Sequence, residues 1–473
     1  MKRLSIICFL ALAGCAVGPD YQRPDAPVAE TFKELEGWSA ARPQDDLPRG
    51  QWWSVFEDAE LDRLLQKLEL SNQNVRAAEA RLRQARALAD QARAGLFPTL
   101  GANASAVRSK SPSLSNAPSL ATGAVNTYNA NLGASWELDL WGKVRRSIEA
   151  GDSTWQASTA ELEAAKLSAR AALAQAYFSL RVTDATRELL QNTVTAYEKN
   201  YELTQNRYKA GVAARVEVMA AEVQLKSAQA QFIDLAVDRA QFEHAIAILI
   251  GEPPSKFAVA PAPGALAMPR IPVGVPSALL ERRPDVAAAE RNAAAANARI
   301  GVAKAAMFPT LSLTGSAGFR AADLANLFSV PSRAWSLGAS ATQPLFDAGL
   351  RRAQTDQAIA VYDEDVATYR QTVLTAFQEV EDNLAALRIL EQEAAVQEEV
   401  VAAARRTLEL TNNQYQSGVV SYINVIVAQT TLLANERSAA AVLGRRLTAS
   451  VALVKALGGG WSTADATAGA TAR

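Results

Sequence analysis

Four segments of the chain alternate between apolar and polar side chains. They lie at Leu100–Ala106, Tyr128–Leu140, Leu311–Phe319 and Trp335–Ala341. A period of two predicts β-strands with one apolar and one polar face. Strands of about 9–11 residues match the tilted strands of an outer-membrane barrel. A half-buried antiparallel sheet in a soluble domain has the same period, so the pattern alone leaves both interpretations open.

Proline placement marks where long helices are permitted. All 19 prolines lie within positions 19–118 and 253–344. Because proline breaks helix interiors, the fold class is predicted to be mostly α with a small β part. Long helices of about 60 residues, roughly 90 Å each, are expected before Gly211 and Gly418. Return helices follow to Ile250 and Leu457, and a further helical stretch is expected over Leu61–Leu96.

The two halves of the chain repeat one another. Three blocks recur in the same order with nearly constant offsets, which indicates an internal duplication. We therefore expect repeats at 61–251 and 285–457, joined by a Pro-rich linker at 252–284. The recurring blocks are Phe97-Pro98-Thr99-Leu100 with Phe308-Pro309-Thr310-Leu311 (offset 211), Leu132-Gly133-Ala134-Ser135 with Leu337-Gly338-Ala339-Ser340 (offset 205), and Tyr208 with Gly211-Val212 against Tyr415 with Gly418-Val419 (offset 207).

The first residues carry an export signal. Lys2 and Arg3 precede an apolar run, and small residues then lead to Cys15. This predicts a signal peptide over 1–14. The pattern resembles the bacterial lipoprotein signal, in which Cys15 becomes the lipid-modified first residue and Ala16 after it favours the outer membrane; ordinary secretion with an unmodified cysteine is the alternative. An N-terminal arm at 15–60 and an Ala/Thr/Gly-rich tail at 458–473 complete the predicted organisation.

Composition disfavours several classes of function. The 473 residues carry 48 Lys and Arg against 49 Asp and Glu, one His and two Cys. The single His244 excludes a multi-histidine metal site, and near-neutral charge argues against a nucleic-acid surface. With no nucleophile–base pair recognisable, we predict no catalytic residue, no metal site and no cofactor, and therefore no enzyme.

Four strands are too few to close a barrel. Lipid does not tolerate open sheet edges, and known outer-membrane barrels begin at about eight strands. A chain that is sent to the outer membrane with four strands must therefore borrow strands from other copies. Three copies would supply twelve strands; the edge argument predicts an oligomer but does not fix that number.

Several motifs run in order from the predicted lipid cysteine to near the C-terminus. They are Cys15-Ala16-Val17-Gly18-Pro19-Asp20-Tyr21, Trp136-Glu137-Leu138-Asp139-Leu140-Trp141-Gly142-Lys143, Glu281-Arg282-Arg283-Pro284-Asp285-Val286 and Leu457-Gly458-Gly459-Gly460-Trp461. In them the chain resembles the TolC-like outer-membrane efflux channels, in particular the NodT-like lipoprotein branch that serves multidrug pumps of the RND type. The resemblance implies a homotrimer with a twelve-stranded outer-membrane β-barrel, continuous with a twelve-helix periplasmic α-barrel. It also implies outer-membrane lipid, a periplasmic adaptor protein and an inner-membrane efflux pump as partners.

The resemblance assigns roles to the two helical turns. They are implied to be periplasmic tips that contact the adaptor, although helix capping alone would also explain their glycines. The implied docking residues are Tyr208, Gly211 and Val212 at the first turn, and Tyr415, Gly418 and Val419 at the second.

A periplasmic gate is implied beside these turns. Relatives often carry acidic residues just beyond the second turn, whereas this chain has Asn424 and Val427. Glu217, retained at the first turn, is implied to form a latch with Tyr415. Ile423 and Val427 are then expected to constrict the pore by dewetting rather than by charge, with helix–helix packing as the alternative for both residues.

The sequence thus predicts a passive exit duct through which an energised pump expels drugs or other small solutes. Two alternatives are the exit duct of a protein secretion system and a lipid-anchored structural spacer. A coiled-coil spacer would show sustained heptads and no strands with a lipid-compatible face.

Overall fold

A computed structural model describes residues 16–28, 31–34, 52–110, 124–262, 268–269 and 282–459. The protein is mostly helical with a small antiparallel sheet, which confirms the predicted fold class at that level. The predicted signal peptide, Cys15 and nearly all of the tail lie outside the described residues. Among the residues described, no helix combines the length and hydropathy needed to cross a membrane.

The helices occur in two matching sets. The long helices are each 67 residues, and the return helices are each 35 residues. The helices are α1 (Ala59–Ser71), α2 (Gln73–Ala94), α3 (Lys143–Lys209), α4 (Arg215–Leu249), α5 (Pro284–Ala305), α6 (Leu350–Gln416) and α7 (Tyr422–Ala456).

The helix predicted over Leu61–Leu96 is in fact two helices, α1 and α2, which break at Asn72. This residue has an extended backbone, with φ −63° and ψ 122°. Its side-chain oxygen accepts a hydrogen bond from the Val75 amide at 3.0 Å, and its side-chain nitrogen donates to the Leu249 carbonyl at 2.6 Å. Asparagine can hydrogen-bond the backbone in place of the helix ladder, so the tertiary contact decides the break.

The four strands are β1 (Thr99–Ser109), β2 (Val125–Leu138), β3 (Thr310–Ala321) and β4 (Arg333–Thr342). They form one antiparallel sheet in the order β1-β2-β3-β4. The second half of this sheet repeats the first, because β1 pairs with β2 as β3 pairs with β4. All four segments with alternating side chains are therefore strands.

The pairing register corrects the repeat offset inferred from the sequence. Leu100 lies opposite Ala134, and its counterpart Leu311 lies opposite Ala341. Ala134 and Ala341 are therefore equivalent, so the second strands repeat at an offset of 207, and the offset of 205 predicted from Leu-Gly-Ala-Ser is wrong by two. Shifting a strand by two positions keeps every side chain on its face, so the alternation could not reveal the error.

The chain divides into two compact units. The sheet unit contains Leu82–Ser158, Ala289–Tyr369 and the described residues up to Asp25, and the helical unit contains the remainder. A buried cluster in the helical unit includes Trp52, Trp53 and Phe56. Asp58 caps α1 through one carboxylate oxygen and accepts the Tyr177 hydroxyl at 2.6 Å through the other.

Both return helices end in the same way. Gly251 follows α4 and Gly458 follows α7, each with a positive φ. A side chain at Gly251 would collide with the Ser71 carbonyl, and one at Gly458 would collide with the Arg282 carbonyl. Gly251 and Gly458 are 207 positions apart, which is the offset between β2 and β4. Ser71 and Arg282 are 211 positions apart, which is the offset between β1 and β3. Both distances along the chain support the corrected alignment of the repeats.

Candidate functional site

The two helical turns of the helical unit have nearly identical backbones. Gly211 has φ +75° and Gly418 has φ +74°, a conformation that costs glycine little. At the first turn the Val212 amide donates to the Arg207 carbonyl and the Gly211 amide to the Tyr208 carbonyl, each at 2.9 Å. The second turn repeats both bonds. This is the Schellman arrangement, so helix capping accounts for both glycines.

The residues predicted to dock an adaptor differ in exposure. Val212 and Val419 are 67% and 71% exposed, and Tyr208 is 46% exposed. Tyr415, by contrast, is only 7% exposed. Its ring lies inside the hairpin pair and offers little surface to a partner in this conformation, so its assignment as a docking residue stays a prediction.

Tyr415 belongs to a small core that holds the two turns together. Its ring centroid lies 5.3 Å from that of Tyr422, and the Arg207 guanidinium carbon lies 4.5 Å from its ring centroid. Ala221 and Val425 complete the buried cluster. Aromatic and cation–π contacts of this kind each contribute about 0.5–2 kcal/mol.

Glu217 and the Tyr415 hydroxyl lie near each other, as the latch requires. Burial raises the pKa of Tyr415, Arg207 opposes that rise, and the charge of Glu217 adds to it. Within the described part of the chain, however, no group has full hydrogen-bond geometry to the buried Tyr415 hydroxyl, and its contacts with Thr204 and Glu217 are weak ones that still affect its pKa. The structure brings the two residues together, and the latch bond itself remains a prediction.

Ile423 and Val427 lie on the first turns of α7 with their side chains exposed, at 57% and 59%. Packing inside this chain therefore does not account for them, and they form an apolar row beside the second turn. Between them Asn424 donates a long bond of 3.4 Å to the Ser421 hydroxyl, which leaves the row without a charge.

Sequence reasoning missed two contributors to this region. Tyr422 is 3% exposed and forms the ring contact with Tyr415. Gln224 bridges three helices, since its side-chain nitrogen donates to the Tyr197 hydroxyl at 3.1 Å and to the Thr430 hydroxyl at 2.9 Å. Tyr422 could have been recognised from the sequence, because it departs from the internal repeat. The equivalent position in the first half of the chain holds Arg215, which is not aromatic.

A second candidate feature is a short segment of the sheet unit that directly follows Cys15 and packs against the helices. We call residues 16–23 the N-terminal strap. The Val17 amide donates to the Trp141 carbonyl at 3.0 Å, and a Cβ at Gly18 would lie 2.6 Å from the Gly301 Cα. The strap therefore lies directly against α5, at a point where only glycines fit.

Polar contacts extend along the strap. Arg146, buried on α3, donates to the Asp20 carboxylate at 2.7 Å, and Asn297 donates to the Pro19 carbonyl at 3.1 Å. The Tyr21 hydroxyl donates to the Glu290 carboxylate at 2.6 Å. Burial, followed by this hydrogen bond, raises the pKa of Tyr21, so the hydroxyl stays protonated as a donor.

The first residues of the strap lie near an aromatic pair at the junction of sheet and helices. Trp141 stacks on Phe308 with ring centroids 4.8 Å apart, and its indole nitrogen donates to the Pro309 carbonyl at 2.8 Å. A Cβ at Gly142 would lie 2.8 Å from the Ala16 Cα. The residue that follows Cys15 is thus held at the end of β2.

Among the described residues, no group of His, Cys, Asp and Glu is placed to hold a metal ion. The features described above are an apolar row beside two capped turns, an open sheet and a docked strap.

Comparison with known proteins shows which family has this sequence and fold. The model of the outer membrane efflux protein family matches residues 64–252 and 275–459. The probable efflux pump outer membrane protein TtgC of Pseudomonas putida is 34% identical over 97% of this chain and 95% of its own. Outer membrane protein OprJ of Pseudomonas aeruginosa is 34% identical with the same coverage.

Solved structures agree with these relatives. The outer-membrane channel OprN superimposes with a TM-score of 0.88 at 32% sequence identity, over 94% of this chain and all of that one. Sequence, family model and fold thus match along nearly the whole length, and the resemblance inferred from the motifs is confirmed. The chain belongs to the outer membrane efflux protein family.

Proposed function

We propose that this protein is the passive exit duct of a tripartite efflux system, receiving small solutes from an inner-membrane pump through a periplasmic adaptor. The observation that carries this proposal is the full-length match to outer-membrane components of efflux pumps. As a passive channel, the duct would depend on its partners for energy.

The duct would be closed by three copies of the chain. Strands β1 and β4 each pair on one side only within the described residues, and lipid does not tolerate such edges. Three copies would give a twelve-stranded β-barrel in the outer membrane, and their long and return helices would form a twelve-helix periplasmic barrel. The order β1-β2-β3-β4 supports this closure, because it leaves one free edge from each repeat.

The adaptor would dock at the two capped turns. Val212 and Val419 project from equivalent positions with most of their surface exposed. Tyr208 adds a half-exposed aromatic ring at the first turn. Apolar side chains on rigid helix ends suit recognition by a helical hairpin, whereas the buried Tyr415 would position the turns instead of touching the partner.

The resting gate would be apolar. Ile423 and Val427 would point into the narrow end of the duct, where a ring of three copies would expel water. Asn424 replaces the acid that a charged gate would need. The exposure of both apolar side chains in a single chain supports this proposal.

Cys15 would carry the lipid that anchors each copy in the outer membrane. The N-terminal strap supports this role, because it leaves no free linker between Ala16 and the end of β2. The acyl chains would therefore enter the bilayer at a fixed level beside Trp141.

Reconstitution of the purified protein into planar bilayers tests the duct. We expect discrete conductance steps from a species of three chains, identified by its mass in detergent. The matched control is the same protein after heating to dissociate its copies. A protein that remains a single chain and never conducts would contradict the proposal.

A further inference from the structure

The end of the sheet that lies away from the helices carries an excess of positive charge. We call residues 106–128 and 317–335 the distal end, since they form the strand ends and loops farthest from the helices. Asp323 is the one acid in its sequence, and residues 111–123 add no charge. Its four basic residues are Arg108, Lys110, Arg320 and Arg333. With four positive charges and one negative charge, the distal end of each copy has a net charge of +3.

The cations at the two ends of the sheet differ in their partners. Beside the helices, Lys143 pairs with Glu137 at 3.0 Å, and Arg145 pairs with Asp139 at 3.1 Å. At the distal end, Arg108 and Arg333 are exposed, and neither has an ion-pair partner in the part of the chain that the structure describes. The excess positive charge at this end is therefore available to an anion from outside the chain.

Arg108 and Arg333 belong to the apolar face of the sheet. Residues two apart on a strand share a face. Arg108 therefore continues the face of Ala106 on β1, and Arg333 continues the face of Trp335 on β4. Arg333 also lies directly opposite Phe319, which belongs to the same face. In the proposed barrel this face contacts lipid, so both guanidinium groups point toward the membrane.

The internal repeat places the two arginines at one level of the sheet. Arg108 lies opposite Asn126 on the first hairpin, and Phe319 lies opposite Arg333 on the second. These pairs are counterparts, because Phe319 follows Arg108 by 211 positions and Arg333 follows Asn126 by 207. Each hairpin thus presents one outward arginine in the same cross-strand pair. Three copies would present six arginines at one level of the barrel.

Aromatic side chains mark this level as the edge of the apolar band. Trp335 lies two positions from Arg333 and has most of its surface exposed. Phe328 is also largely exposed, and its ring makes a T-shaped contact with Phe319 at a centroid distance of 5.4 Å. Girdles of aromatic residues flank the apolar band of outer-membrane barrels at the lipid headgroups. The two arginines therefore lie where headgroups begin.

We infer that Arg108 and Arg333 bind phosphate groups of the glycolipid that forms the outer leaflet of the outer membrane. This inference rests on the proposed duct, which puts the apolar face in lipid and the distal end on the outside, and it adds a lipid site to that duct. A guanidinium group binds phosphate through two parallel hydrogen bonds. The phosphate would supply the negative charge that the two arginines lack within the chain.

Titration of the purified protein in detergent with lipopolysaccharide tests this site. Native mass spectrometry counts the bound glycolipid, and the unsubstituted protein should retain it. Arg333→Asn should weaken binding about fivefold, the effect of one cation near an anionic surface, and adding Arg108→Asn should weaken it further. The matched control is Arg320→Asn, which removes the same charge from the distal end but from the polar face, and it should leave the affinity unchanged.

A gain of binding tests the same level without removing an arginine. Asn126→Arg places a second guanidinium opposite Arg108, at the counterpart of Arg333, and should strengthen the binding of lipopolysaccharide. Two further probes identify the ligand. Lipopolysaccharide stripped of its phosphates should bind weakly, and inorganic phosphate should not displace the intact glycolipid, because it lacks the acyl chains that contact the apolar face.

Each adverse result has a distinct meaning. Equal affinity of Arg333→Asn and Arg320→Asn, or undiminished binding of the dephosphorylated glycolipid, would overturn the site, while conducting trimers would leave the duct intact. Displacement of the glycolipid by inorganic phosphate would overturn the assignment to lipid. Unsubstituted chains that neither assemble nor conduct would overturn the duct and the lipid site with it.

Discussion

Replacing Tyr415 with Phe separates two accounts of the turn region. The hydroxyl of Tyr415 is buried and has no hydrogen bond of full geometry among the described residues, although Glu217 lies close to it. A buried polar group left unpaired costs about 1–3 kcal/mol. The substitution removes that group and leaves the ring in contact with Tyr422 and Arg207.

The expected result is a gain in stability of about 1 kcal/mol, the lower end of that range, since Thr204 and Glu217 partly solvate the oxygen. Tyr415→Ala should instead destabilise by about 3–5 kcal/mol, because it empties the cluster. Thermal unfolding in detergent measures both changes. Tyr208→Phe, at the equivalent and half-exposed position, is the control and should have little effect.

The opposite outcome would support the latch. If Tyr415→Phe lowers stability and raises the resting conductance in bilayers, the hydroxyl is bonded in the working protein. Glu217→Ala would then raise the conductance similarly, and the double variant would add nothing further. Unchanged conductance in Glu217→Ala would remove the latch from the gate.

Three further predictions follow from other parts of the structure. Burial raises the pKa of Tyr422 to about 12 from its ordinary 10.0, so the stability present below pH 10 should fall by about 2 kcal/mol as the pH rises from 10 to 12. Tyr422→Phe should flatten this part of a pH–stability curve, and an unaltered curve would contradict the assignment. Val427→Asp should create a divalent-cation block of the bilayer conductance that the unsubstituted protein lacks; an equal block without the substitution would refute the apolar gate. Gly301→Val should clash with Arg146 and the Val17 carbonyl at a cost of about 1–3 kcal/mol and expose the strap to chymotrypsin at Tyr21, whereas Gly101→Ala, which has open space, should not. Equal digestion of the two variants would show that the strap is not held at Gly301.

The strands and long helices were predictable because their signals are local. A period of two or a proline-free stretch does not depend on distant contacts. The strand register was not predictable in this way, since Leu132-Gly133-Ala134-Ser135 and Leu337-Gly338-Ala339-Ser340 match in sequence two positions away from their structural alignment. Only the hydrogen-bonded neighbours fix that shift.

The candidate site shows the same division. The turns were located from Gly211 and Gly418, because glycine is the residue that most readily adopts the positive φ with which these helices end. The different environments of Tyr208 and Tyr415 were missed because the recurring motif is the same at both turns. Burial of Tyr415 depends on Tyr422 and on the opposing hairpin, and the strap depends on Gly18 meeting Gly301 from the other half of the chain.

The equal lengths of the return helices fix the positions of the two hairpin turns. Both contain 35 residues, and each is seated at its far end by a glycine against a carbonyl. Adding one heptad to a single hairpin would move its turn by about 10 Å and separate Tyr415 from Arg207. Length changes in this protein should therefore be tolerated only as matched insertions in both hairpins.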